Sequence, residues 1–482
     1  MSSCKSMKSI RIIILSILLG NLFFSCSQDM DDVINNASTL EINQFIWRGM
    51  KNIYLYKSDV PQLQDDYFGS NQELNDYLRN FNSPEDLFEA LVAPQDRFSF
   101  LVDDYIELEN ALEGIALTNG MEYGLVRLSN TSSLVLGYVR YVLPNTSASK
   151  NGIQRGDLFH TVNGQQLTTD NYRQLLADPQ YTIGLALLED NNIISTGETV
   201  SLVKEQYTEN PIFFADVLQT DEGNAGYLMY NSFSGSFDDE LNAVFADFKT
   251  EGVTNLILDL RYNGGGSVES ATDLASMITG QFTGEVFSTE QWNEDYQTYF
   301  EENNPSELVN RFDNEIRTGE PINSLFLPRV YIITSLRTAS ASELVINGLE
   351  PYIDVVQVGD TTTGKFQASV TLYDSWDFGR RGASPSHTYA IQPLIYKSAN
   401  AAGVTDFLNG LAPDVDIIED ITNLGIIGDL NEPLLQASLQ HIKGEPFKLK
   451  EKRNIFEVVG ESGMNSPLYK SMYETSFYKK FE

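Results

Sequence analysis

The stretch SLRTASASELVING, Ser335 to Gly348, decides how the chain is read. Ahead of it VYIIT, Val330 to Thr334, is short, apolar and β-branched, which predicts a buried strand. Behind the small residues Ala339 to Ser342, the residues Glu343, Leu344, Val345, Gly348 and Leu349 predict a short helix ending near Pro351. A strand that turns into a helix through small residues lets another chain come close. It also leaves the first N–H groups of the helix without intrahelical partners. A serine at such a junction is placed either to act as a nucleophile or to cap the helix.

Working outward, the pattern before this stretch is α/β. AGYLMYNSF reads as a strand and SFDDELNAVFADFKT as an amphipathic helix, with Ser236 as cap and Phe237, Leu241, Val244, Phe245 and Phe248 on one face. NLILDL reads as a buried strand that ends in RYNGGGS, Arg261 to Ser267, and ESATDLASMI as the next helix. This spacing predicts a mainly parallel sheet. Residues 280–327 read as a polar, aromatic, strand-poor insertion near the site. The glycines Gly264, Gly265 and Gly266 free the backbone to turn sharply and aim N–H groups at one point, which suits an oxyanion hole. The run lacks the pattern of a phosphate loop. After the serine-bearing stretch, DVVQV reads as a further strand, followed by VGDTTTGKFQASVTL with Lys365.

Further upstream the character changes twice. From Leu40 to about Tyr56 the residues Ile42, Phe45, Ile46, Met50 and Ile53 keep a helical period, and SPEDLFEALV carries Ser83 as N-cap with Pro84 at the first helical position. Residues 40–118 therefore read as a helical domain of structural role. From about Glu122 short strands take over: GLVRL, SLVLGYVRYV and GDLFHTVNG, with Asn163-Gly164 as a hairpin turn.

Composition narrows the function. Of 482 residues 42% are apolar, enough for a sizeable core, and 32 Lys plus Arg stand against 67 Asp plus Glu, a formal charge of −35. That balance excludes nucleic acid as a partner, because phosphate binding needs a basic face. At the N-terminus Lys5, Lys8 and Arg11 precede an apolar run from Ile12 to Phe24, which reads as an export signal. The run ends at Ser25-Cys26, similar to a bacterial lipobox. Cys26 would then be lipidated, 1–25 removed as a signal peptide, and 26–39 left as a polar tether. The chain has two cysteines, Cys4 and Cys26, so this processing leaves no thiol for catalysis.

A serine nucleophile needs a base. The three histidines are His160 in the β-rich region, His441 at the end of the last helix and His387 in the polar loop RRGASPSHTY, which sequence position alone leaves open. Lys365 is the other option, and a lysine serves as a base only if burial depresses its pKa. As alternatives without chemistry, Ser340 is an N-cap and Lys365 a solvated cation.

Four motifs in order, DLRYNGGG, TASASE, GDTTTGK and LNGLAPDVDI, resemble the C-terminal processing (tail-specific) serine proteases. The resemblance covers nearly all of residues 40–445. It implies a multidomain α+β and α/β chain: a ClpP/crotonase-like peptidase core at 207–445, an inserted PDZ-like β-domain at 119–206 and the N-terminal helical domain. A C-terminal extension, 446–482, would follow. It further implies a nucleophile at Ser340, the first serine of SASE, and a general base at Lys365, 25 residues on. The oxyanion hole would use Ala341 and one of Gly264 or Gly265. The residue that orients the family's lysine falls at Ser369 here, where a Gln or Glu is common, so Ser369 or Gln367 would serve. NTSASKNGIQRGDLFHTVNGQQL, Asn145 to Leu167, resembles a bacterial-protease PDZ domain. By that resemblance Tyr123, Gly124, Leu125 and Val126 would form the edge that takes a peptide strand and its terminal carboxylate. No metal or organic cofactor is implied. The expected partners are a protein or peptide substrate and, through the lipid, a membrane of the bacterial cell envelope. A catalytically silent, tethered peptide-binding protein on the same fold is the rival.

Overall fold

The computed structural model describes residues 37–129, 131–445 and 456–474, so the apolar run Ile12–Phe24 and Cys26 lie outside the described residues. Its central sheet has the strand order Ile212–Thr220, Gly223–Tyr230, Val253–Asp259, Arg329–Thr334, Asp354–Gly359, Val415–Asp416. The first two pair as an antiparallel hairpin and every later neighbour is parallel. Side chains alternate between two cores, as the pleat requires. Leu256, Leu258, Val330 and Ile332 face a core shared with the helices Asp238–Thr250, Val268–Thr279 and Ala341–Leu349. Ile257, Tyr331, Ile333 and Val356 face a smaller one closed by Leu434 and Leu435 of the helix Pro433–Ile442. Burial on both faces explains why these strands are continuous apolar runs.

The helix Asp238–Thr250 buries Leu241, Phe245 and Phe248 as its period predicts. Ser236 is not its cap, however: it lies in a preceding 3₁₀ turn and its hydroxyl donates to Glu113. The acidic first turn, Asp238 to Glu240, opposes the positive end of the helix dipole instead.

A second six-stranded sheet runs Gly266–Ser267, Met472–Tyr473, Gln367–Ser369, Leu394–Asn400, Val286–Trp292, Val309–Arg311. It corrects the reading of 280–327 as strand-poor, for that region supplies two strands and the helix Glu294–Asn303. The strand Val286–Trp292 hides its pattern because the polar Ser288 and Glu290 are buried alongside Phe287 and Trp292. The sheet also draws residues 472–473 of the expected extension into its interior.

The N-terminal helices form: Ser83 Oγ accepts the Asp86 N–H at 3.1 Å ahead of Pro84–Leu91, as its capping position predicts, and Ser38, which the sequence reading did not single out, caps Thr39–Ile53. They do not make a separate core. Phe45, Ile46 and Met50 pack in the same cluster as Leu372, Ile391 and Leu394, and the strand Phe100–Val102 pairs with Ala390–Gln392. Helices of two turns, such as Asn71–Leu78 and Pro84–Leu91, cannot bury their apolar faces alone.

The β-rich unit does have a core of its own, with Met121, Leu125, Val139, Phe159 and Ile183 buried in it. Asn163 and Gly164 take φ of 52° and 75°, the conformation of a tight hairpin, and join Leu158–Val162 to Gln165–Gln166. Strand Ile115–Thr118 pairs with Glu205–Thr208, which brings the entry and exit of the unit together. Its Met121–Arg127 edge, expected to be open for a peptide, is occupied by this chain's own strand Glu457–Glu461.

Candidate active site

The site is built where the central sheet ends. Strand Arg329–Thr334 leaves the sheet and the chain reaches Ser340, which starts the helix Ala341–Leu349 with φ of 67° and ψ of −116°. For a residue with a side chain this conformation costs about 1–3 kcal/mol and persists only where the surroundings enforce it. The enforcing contacts are visible. The Ala339 N–H donates to the Asn263 carbonyl at 3.1 Å, Ser342 Oγ donates to the same carbonyl at 3.2 Å, and the Ser340 N–H donates to Glu343 Oε2 at 2.8 Å. Ser340 is fully buried and its Oγ has no hydrogen-bond partner. The hydroxyl is therefore not spent on capping, the use that competed with nucleophile in the sequence.

The glycine turn stands against it. A Cβ on Gly265 would lie 2.7 Å from Ser340 Cβ and 2.6 Å from the Ser471 carbonyl oxygen, and Gly265 has φ of 113°, so no side chain fits there. Asn263 shapes the turn: its Nδ2 donates to the Tyr230 carbonyl and its Oδ1 accepts the Gly265 N–H at 2.9 Å. That bond takes the Gly265 N–H, so of the two glycines only Gly264 retains an N–H for a ligand. The Ala341 N–H belongs to the first residue of the helix, where no intrahelical partner exists. Below the turn, fully buried Arg261 binds Asp259 and Glu432 at 2.7 and 2.6 Å and Glu419 at 3.1 Å. Burial would raise the Glu419 carboxyl, but Arg155 and Arg261 hold it down at about 2.

Lys365 is 1% exposed, which removes the solvated-cation reading. Burial lowers its amine to about 7, against smaller opposing pulls from Asp96 and Glu343. The Nζ lies 4.9 Å from the centre of the Phe98 ring and donates to the Lys470 carbonyl at 3.0 Å. It makes no hydrogen bond to Ser340 Oγ. Of the two residues expected to orient it, Ser369 is engaged elsewhere: its Oγ donates to the Met472 carbonyl at 2.9 Å and accepts from Gln392 at 3.1 Å. Gln367 donates to the Tyr56 hydroxyl at 2.9 Å, and its Oε1 is buried without a partner.

Sequence reasoning passed over Glu343. Its Oε2 accepts both the Ser340 N–H and the Lys365 N–H at 2.8 Å, and its Oε1 accepts the Gly364 N–H at 2.7 Å and the Thr362 hydroxyl. One carboxylate thus fixes the backbones of both Ser340 and Lys365. Burial raises its pKa, and these four hydrogen bonds work against that. The signal was in the sequence as Ser-x-x-Glu at 340–343, a pattern that reads as a capping box. Asp96 and Phe98 were missed for another reason: they come from the N-terminal segment, which gave no chemical signal. His387 is remote from this chemistry, bound to Asp374 at 3.1 Å and packed on Phe45. Among the described residues no group of acids, histidines and cysteines is arranged to hold a metal.

A strained, unpartnered serine at a helix start, facing a glycine turn and near a buried amine, has the layout of a serine-hydrolase site on a mixed α/β core. The chain matches the model of peptidase family S41 over residues 224–406 and that of the peptidase S41 N-terminal domain over residues 41–100, and it belongs to that family. It is 23% identical over 295 residues to the chloroplastic C-terminal processing peptidase of Tetradesmus obliquus, covering 58% of this chain and 56% of that one. To the carboxyl-terminal-processing protease of a Picosynechococcus species it is 24% identical over 229 residues, 46% of this chain and 49% of the other. The matched region spans about half the length of these curated relatives. A solved Bacteroides fragilis structure assigned to the S41 proteases superposes with a TM-score of 0.65 at 24% identity, over 83% of this chain and 97% of that one, a likeness of fold.

Proposed function

We propose that this chain is a serine endopeptidase that cleaves exported or unfolded proteins with a Ser340–Lys365 dyad. The observation that carries the reading is the pair itself: a buried serine hydroxyl without a partner, and a buried amine held at about 7, both tied to Glu343. At neutral pH a large share of Lys365 is neutral and can take the hydroxyl proton as Ser340 Oγ attacks the peptide carbonyl. The Ala341 and Gly264 N–H groups receive the developing oxyanion. Lys365 then gives its proton to the leaving amine, and water, deprotonated in turn by Lys365, releases the acyl group and restores Ser340. Gln367, with its free Oε1, is the better candidate than Ser369 to hold the amine once it turns toward Ser340.

The unit at 119–206 reads as a PDZ-like strand-pairing domain, supported by its closed core and by the strand added to its Met121–Arg127 edge. We place the protein in the bacterial cell envelope, anchored through lipidated Cys26. No helix among the described residues is long and apolar enough to cross a membrane. The deciding experiment is labelling with a fluorophosphonate together with digestion of an unfolded protein. The intact protein should label at Ser340 and cut, and Ser340→Ala should do neither. Cutting that survives in Ser340→Ala would overturn the assignment.

A further inference from the structure

The segment 456–474 runs from the Met121–Arg127 edge of the β-rich unit to Lys365 and the glycine turn. Its first strand pairs antiparallel with Met121–Arg127, setting Val458 opposite Val126, Gly460 opposite Leu125 and Glu461 opposite Gly124. Ser462 continues the ladder: its N–H donates to the Tyr123 carbonyl and its Oγ accepts the Tyr123 N–H, both at 3.0 Å. Glu461 is buried between two guanidiniums, Arg140 of the β-rich unit at 2.6 Å and Arg337 of the loop before Ser340 at 2.5 Å, and the Tyr469 hydroxyl also donates to it. Farther on, the Lys470 carbonyl takes the Lys365 amine, and the Ser471 carbonyl oxygen lies where a side chain on Gly265 would. Met472–Tyr473 is then inserted between Gly266–Ser267 and Gln367–Ser369, parallel to both.

Two consequences follow from this path. The edge that would pair an incoming chain is already paired. The amine that would deprotonate Ser340 already donates to a backbone carbonyl, and Ser340 Oγ is left without it. Both blocks belong to one segment of fewer than twenty residues, and Glu461 joins the β-rich unit to the nucleophile loop midway between them.

We propose that residues 456–474 are a built-in occupant of the substrate path, displaced by an extended chain that pairs along Tyr123–Val126 and puts a carboxylate between Arg140 and Arg337. This deepens, and rests on, the reading of Ser340 and Lys365 as a peptidase pair. Pairing of the incoming strand removes residues 457–462 from the edge, because an edge accepts one strand. Losing that strand parts Glu461 from Arg337, and the hold on residues 470–473 weakens with it. The substrate class is therefore an extended chain with a carboxylate at the position Glu461 holds, either an acidic side chain or a chain end.

Hydrogen exchange at residues 470–474 in the full Ser340→Ala chain reads displacement without any need for catalysis. We expect Glu461→Gln to speed exchange there and, in the chain with Ser340 intact, to raise the fluorophosphonate labelling rate roughly 10–100-fold, the range set by losing a charge-assisted buried hydrogen bond. Peptides of one sequence, with an internal Glu or with Gln in its place and with a free or an amidated end, should accelerate exchange only where a carboxylate remains. The arm that works identifies its source. If Glu461→Gln misfolds, a specific protease site placed between residues 446 and 455 and cut after folding replaces it. Releasing the fragment should then raise labelling, and adding a synthetic 456–474 peptide should reverse the rise. Exchange and labelling within twofold of the parent in a folded Glu461→Gln or released protein would overturn the proposal, as would acceleration by carboxylate-free peptides. Faster exchange without faster labelling supports the displaceable occupant and instead counts against the Ser340–Lys365 reading.

Discussion

Replacing Lys365 by Met should abolish activity and at the same time stabilise the fold at neutral pH. The amine sits at about 7 in the folded chain against 10.5 ordinarily, with burial as the dominant cause. A base whose pKa is depressed by folding binds more protons when unfolded at every pH between those values, so stability rises with pH across that window. The gap of about 3.5 pH units, at about 1.4 kcal/mol each, makes the burial cost about 5 kcal/mol below pH 7 and about 4 kcal/mol at pH 7. Methionine fills similar space without that cost and gives up the bond to the Lys470 carbonyl, about 1 kcal/mol. The variant should therefore be about 3 kcal/mol more stable at pH 7, and the advantage should vanish near pH 10. Urea unfolding of both proteins in a Ser340→Ala background, which prevents self-digestion, measures the difference at pH 6, 7, 8.5 and 10. A Lys365→Met protein no more stable at pH 7, or a difference that does not change with pH, would refute the reasoning.

Other outcomes follow from the same geometry. Activity should fall about tenfold per pH unit below about 7, as Lys365 takes up a proton, and level off above; a flat profile from pH 5 to 8 would remove Lys365 as base. Lys365→Arg should be inactive, since a guanidinium stays protonated, whereas His387→Ala should keep near-full activity, its ring being committed to Asp374 and Phe45; peptide cleavage assays on both variants test the choice of base. Glu343→Gln should cost about 2–3 kcal/mol of stability, because an amide oxygen cannot accept all four of the carboxylate's hydrogen bonds, and it should shift the pH profile downward by removing a nearby negative charge. An unshifted profile would limit Glu343 to a packing role. Cys26→Ser should move the protein from the membrane fraction to the soluble or unprocessed fraction, and normal fractionation after normal cleavage would end the lipoprotein reading.

Much of this molecule was legible in one dimension because its signals are local. VYIIT, NLILDL and DVVQV are buried on both faces, so their apolar runs need no context to be read as strands. Ser83 and Pro84 start a helix through contacts within one turn, and Asn163-Gly164 folds its hairpin with its own backbone. The spacing of SASE and Lys365 singled out Ser340 and Lys365 as the proposed pair by resemblance to a family. What the sequence withheld is what depends on distant segments. Nothing in Ser-x-x-Glu says that Glu343 will also take the Gly364 and Lys365 N–H groups, since that depends on how two loops meet. Asp96 and Phe98 become neighbours of Lys365 only because the N-terminal helices share the core of the α/β unit. Ser288 and Glu290 obscured a real strand, because a polar residue can be buried once tertiary partners satisfy it. Above all, a stretch as featureless as residues 456–474 gains meaning only from the two sheet positions it fills. Strand pairing is satisfied by backbone groups that every residue carries, so the sequence of an added strand need not announce where it will add.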